Sequence, residues 1–157
     1  MRQKFTKSIR TWVIGLVTLL LIALPVTTAF AESSAEGGSG TGVLDAQGSG
    51  LAGVIGRGKI TLSGSGVLWI SDRAGDAVIH VRGDGNMTKF PGSWTLYTGF
   101  NGRAYVTGSA VEVMVVGVRI DLHAEGTGRF YLRGRGTYTT NHSRGEWTDT
   151  LEMYRLE

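Results

Sequence analysis

The sequence predicts an all-β chain, an antiparallel sandwich or barrel of many short, glycine-kinked strands. Three observations carry that reading. Sixteen successive even positions from Gly40 to Ile70 are glycine or aliphatic, while the odd positions include Thr41, Asp45, Gln47, Ser49, Arg57, Lys59, Thr61, Ser63 and Ser65. The same pattern returns at Gly126, Gly128, Phe130, Leu132, Gly134, Gly136 and Tyr138. After residue 31 no apolar pattern with a helical period competes with this alternation, which is the mark of strands with one dry side.

Taken in order, residues 1–31 read as a secretory signal peptide. Arg2, Lys4, Lys7 and Arg10 precede an apolar run of 13 residues, Pro25 breaks it, and Ala29 and Ala31 stand where signal peptidase needs small side chains. The run is too short to span a bilayer, which takes about 20 residues. Residues 32–41 are Ser/Gly-rich and read as a flexible leader.

Residues 42–140 form a single β domain. The even positions fall into octads of the form glycine, glycine, apolar, apolar. An unbroken strand of 32 residues would run to about 105 Å, so the chain must bend at the glycine pairs. A two-residue hairpin loop would swap the inward parity, and parity holds from residue 40 to 70. The bends are then three-residue loops with a glycine bulge, or kinks in continuous coiled strands. The rival architecture is a β-solenoid, with octads stacked as faces of a coil.

Parity changes between Ile70 and Ala77, across a turn-rich segment, and again near Gly117, where Val116, Val118 and Ile120 take the inner side. Asn101-Gly102 signals a hairpin, and RGDGN (82–86) and PGS (91–93) signal turns. The runs Ile60 to Ile70 and Ile120 to Leu132 differ by a two-residue insertion, which suggests two related halves. Residues 141–157 lose the octad and read as a closing strand or a loose tail.

Charge and composition narrow the function. The chain has 16 Lys+Arg and 13 Asp+Glu; four of the cations lie in the leader peptide, so the exported part carries 12 against 13, or −1. That excludes a basic surface of the kind nucleic acid requires. With no cysteine, thiol catalysis, zinc–thiolate sites and disulfides fall away.

Two nucleotide motifs are present by spacing alone. GSGLAG (48–53) fits G-x-G-x-x-G, and GVIGRGK (53–59) fits a P-loop up to Ile60, where a hydroxyl is needed. Both require a helix to follow, and the following residues alternate as a strand. GGSG (37–40) begins like a calcium nonapeptide repeat but lacks its Asp. No cofactor is expected. Asp84 with Asn86, and Asp72 with Asp76, are weak oxygen-ligand pairs whose simpler role is turn capping. Arg82-Gly83-Asp84 is a potential adhesion tripeptide in an expected turn.

His80, His123 and His142 have no metal-ligand spacing. His123 with Asp121 and a serine could be drawn as a triad, and Asp72, Asp76, Glu112 and Glu125 as glycosidase carboxylates, but nothing in the sequence selects either. Trp69 and Tyr131 stand on the wet parity at matching places in the two halves. They are the candidate contacts of an outer aromatic face; the simpler reading is that both sides of that strand are covered, as in a sandwich or beneath residues 87–100. The expectation is therefore an exported, non-enzymatic binding or structural module, probing glycan or protein at a bacterial cell surface, with no membrane span after cleavage. A carrier of an apolar ligand inside a barrel, and a hydrolase on a β scaffold, are the alternatives.

Overall fold

A computed structural model describes residues 41–157; the signal peptide and flexible leader expected over residues 1–40 lie outside the described residues. The alternation produces five strands: β1 (Gly42–Asp72), β2 (Val78–Phe90), β3 (Trp94–Thr140), β4 (Arg144–Glu146) and β5 (Glu152–Leu156). All pairings are antiparallel, in one sheet of order β1–β3–β2, with β4 and β5 on the far part of β3. The described residues contain no helix.

The register defines the architecture. Leu44 pairs with both Ala124 and Thr140, and Val54 with both Val113 and Phe130. Conversely, Val113 lies between Val54 and Ile70, and Leu122 between Ala46 and Leu62, so β1 residues sixteen apart flank the same β3 residue. A strand that meets its partner on both edges at a fixed interval is coiled. Strands β1 and β3 therefore wind around each other as an antiparallel ribbon with sixteen residues of β1 per turn. Successive turns of one strand are separated by two strand spacings, about 9.6 Å.

Each turn has two glycine corners and two straight runs. At the corners glycine faces glycine across the ladder: Gly48 with Gly136, Gly50 with Gly134, Gly56 with Gly128, Gly58 with Gly126 and Gly66 with Gly117. At Gly58 an added Cβ would stand 2.8 Å from the Cα of Gly126, closer than two carbons can approach, so only paired glycines let the ribbon fold so tightly.

The straight runs stack into two layers. One layer turns Leu44, Ala46, Ile60, Leu62, Ala104, Val106, Leu122 and Ala124 inward; the other turns Ala52, Val54, Leu68, Ile70, Val111, Val113, Val115, Phe130 and Leu132 inward. All belong to one buried cluster. The sandwich expected from sequence is thus a flattened coil of a single sheet, and the octad is half a turn of it. Tyr138, Tyr154 and Phe130 close one end with ring centroids 5.0–5.7 Å apart, and Trp147 is buried there, its indole N–H donating to Thr137 O at 3.1 Å.

Four local expectations are corrected. The strands are long rather than short, 31 residues in β1 and 47 in β3, because the glycine pairs bend the backbone without breaking the ladder; the sheet does not close into a barrel. Asn101-Gly102 is no hairpin: Gly102 sits inside β3 between Gly64 and Gly83. RGDGN is likewise inside β2 rather than in a turn, with Gly83 pressed against Gly102; the turn that joins β2 to β3 is PGS. The parity change near Gly117 falls at Val118 and Arg119, where Arg119 has φ 55° and the register skips. Val116 and Val118 therefore stay outside, Val118 at 50 % exposure.

Candidate binding faces

Because the octad is half a turn, the outward side chains of alternate octads land on opposite faces. On the first face stand Asp45, Gln47, Lys59, Thr61, Ser63, Arg103, Tyr105, Asp121, His123 and Glu125. On the second stand Leu51, Gly53, Ile55, Val67, Trp69, Leu96, Met114 and Val116. One face is polar and charged; the other is chiefly apolar.

The apolar face contains both aromatic candidates in one row. Met153, Tyr131, Gly53, Met114, Trp69, Leu96 and Thr88 are successive cross-strand partners. Tyr131 and Trp69 are three strand spacings apart, about 14 Å. Trp69 is half-buried, stacked on Phe90 (ring centroids 6.2 Å, 26°) and edge-on to Trp94 (6.4 Å, 82°). Tyr131 is not the exposed ring the alternation predicts. It lies flat over Gly53, whose missing side chain leaves room for the ring, and is only 6 % exposed. Burial, reinforced by the Glu112 carboxylate beside it, pushes its phenol above the usual range. Glu112 is in turn held by Arg73 at 2.7 Å. Next to it Ser71 is fully buried with no hydrogen-bond partner for its hydroxyl. Among the exposed large apolar side chains, Val116, Phe90 and Met153 lie on this face.

On the polar face His123 is gripped from two sides. Protonated, its Nδ1–H donates to Asp45 at 2.7 Å and its Nε2–H to Glu125 at 3.2 Å. The Asp45 hydrogen bond raises its pKa, against a smaller opposing effect of burial and with Glu125 assisting. With both ring nitrogens engaged by carboxylates and none by a hydroxyl, the His123–Asp121–Ser grouping does not assemble.

The remaining candidates scatter. Asp72 accepts hydrogen bonds from the N–H groups of Gly75 and Ala77 (2.8 and 3.0 Å), capping its turn, whereas Asp76 accepts from the N–H of Ser109 in β3 at 3.1 Å and ties the turn to that strand. The Ser109 bonds hold the Asp76 carboxyl below its usual range. Asp84 and Asn86 stand exposed along β2. Glu112 and Glu125 lie on opposite faces. Among the described residues no three His, Asp or Glu side chains converge as a metal site, and His142 sits in the turn after β3, its backbone N–H donating to Thr140. Sequence reasoning missed one grouping, His80, Arg82, Arg103 and Tyr105. They share a hollow of about 300 Å³ where β2 meets β3. Pairing β2 to β3 would have found it, but the Asn101-Gly102 signal placed the turn inside that pairing.

Compared with models of known protein families, with curated proteins and with solved structures, the chain matches none.

Proposed function

We propose that the chain is a non-catalytic binding module, exported by its N-terminal signal, that docks a protein surface at the cell envelope through its apolar outer face. The observation that carries the reading is the segregation of the two outer faces. Aliphatic and aromatic side chains continue across the successive strands of one face, rimmed by Arg129, Arg133 and Arg155, whereas the other face is polar. Val116, Phe90 and Met153 are exposed on this face and Trp69, Leu96 and Met114 half-buried, and a continuous apolar surface favours a partner that covers it. An apolar centre with an arginine rim is also the composition of protein interfaces. The buried cluster fills the space between the layers, which favours an outer contact over an enclosed ligand. His123, the one histidine paired with carboxylates, has both ring nitrogens engaged by Asp45 and Glu125 and none by a hydroxyl among the described residues, which supports a non-catalytic role.

The test uses residues 32–157 as purified protein and the envelope fraction of the producing cell. Trp69→Ala and Met114→Lys are expected to weaken binding to that fraction by about tenfold or more while the circular dichroism spectrum is unchanged. Equal binding by wild type and both variants would remove the apolar face as the site. Turnover of glycan or ester substrates, abolished by a single Asp or His change, would overturn the non-catalytic reading.

A further inference from the structure

The polar face holds a feature independent of the apolar one. Arg82 of β2 and Arg103 of β3 are direct cross-strand partners, and the pair beside them is His80 and Tyr105. Like charges placed directly opposite destabilise a ladder, and here nothing offsets them. Among the described residues neither arginine makes an ion pair or a side-chain hydrogen bond. The nearest acids along the grid are Asp84, two residues on in β2, and Asp121, two strands from Arg103, and neither reaches them. The four side chains line a hollow of about 300 Å³. One wall is formed by the stacked rings of His80 and Tyr105, centroids 6.5 Å apart at 25°, and Tyr105 keeps 38 % of its surface exposed.

From this geometry we infer an oxyanion site: a phosphate or sulfate group held between the guanidinium groups of Arg82 and Arg103, with its attached skeleton resting on Tyr105. Two planar guanidinium forks converging from neighbouring strands suit a multi-oxygen anion, which each can bind with two parallel hydrogen bonds. The anion also removes the repulsion that the empty pair carries. Two sources share this chemistry, a small free anion and a charged group on a surface polymer.

Thermal unfolding and nitrogen-15 NMR of residues 32–157 test the site, with inorganic phosphate, dextran sulfate and neutral dextran as probes at constant ionic strength. Phosphate or dextran sulfate should raise Tm and shift the Arg82 and Arg103 Nε–H signals, while neutral dextran does neither. A response to phosphate alone identifies a small anion, and one confined to dextran sulfate a polymer-borne group. Arg82→Gln and Arg103→Gln should each weaken binding about tenfold. Neither should lower Tm without ligand, since each relieves repulsion. Arg103→Lys, which keeps the charge but loses the fork, should bind at an intermediate level. The inference fails if no anion shifts those signals, or if the double glutamine variant binds as well as wild type. A fall in unligated Tm for both glutamine variants would make the arginines structural and also overturn it.

Discussion

A methyl group on Gly136 would stand 2.7 Å from the Cα of Gly48, and nothing nearby but backbone could yield. Gly136→Ala should therefore cost about 2–4 kcal/mol, as overpacking against rigid neighbours does. Gly75 has φ 76° and open space around it, so Gly75→Ala should cost only about 1 kcal/mol, the conformational penalty alone. Urea unfolding of the two variants measures the contrast. The spacing of these glycines was legible in the sequence, but their partners were not: alternation tells which side a residue faces, and says nothing of what lies across the ladder. Tyr131 shows the same limit, since its burial depends on Gly53, a residue of another strand.

His123 gives the pH prediction at this scale. Its pKa is raised in the folded state, first by Asp45. The stability it contributes is fully present below the unfolded-state value near 6.5 and is lost as pH rises through the higher folded value. The wild type should lose a small increment of stability as pH rises above about 6.5, and Asp45→Asn should lower the His123 titration midpoint seen by proton NMR. An unchanged midpoint in that variant would show that the Asp45 contact does not persist in solution.

Among elements, the bulge in β3 separates two classes of valine and leucine that look alike in sequence. Leu122 is wholly buried and Val118 half exposed. Leu122→Ala should cost about 2–5 kcal/mol, and Val118→Ser should stay within about 0.5 kcal/mol of wild type. If Val118→Ser costs as much as a core truncation, the bulge is misplaced or a partner covers the residue. The parity change itself was readable, but not its position, because Gly117 is the residue that ordinarily marks a bulge and Arg119 at φ 55° is not. The Asn101-Gly102 signal misled for a related reason. A dipeptide suited to a tight turn is equally suited to a crowded corner, where Gly102 must pass between Gly64 and Gly83. The turn chemistry of PGS, which no tertiary contact contests, was read correctly.

For the whole molecule, the choice between sandwich and solenoid dissolves, since the two layers are the flattened sides of one coil. The octad was in the sequence; that two antiparallel strands share the winding was not, because a periodic pattern looks the same whichever strand it pairs with. The coil also supplies a reason for the likeness of the Ile60 and Ile120 runs, as both strands need a glycine pair at each corner. Folding must bring together residues as distant as Leu44 and Thr140. Refolding, followed by tryptophan fluorescence after rapid dilution from urea, is expected on the millisecond-to-second scale or slower, as for other topologies dominated by non-local pairs. A microsecond phase carrying the full amplitude would contradict this topology.

The half-turn repeat sets a rule for how such a chain can lengthen. A closed barrel has a circumference to satisfy; a winding has only ends. Duplicating eight residues of β1 would keep every glycine at a corner and every aliphatic side chain inside, yet exchange the inserted outer residues between the wet and greasy faces. Duplicating sixteen would restore them all. In this molecule the interior is therefore counted in eights and the exterior in sixteens, and only the second number preserves what the surface can recognise.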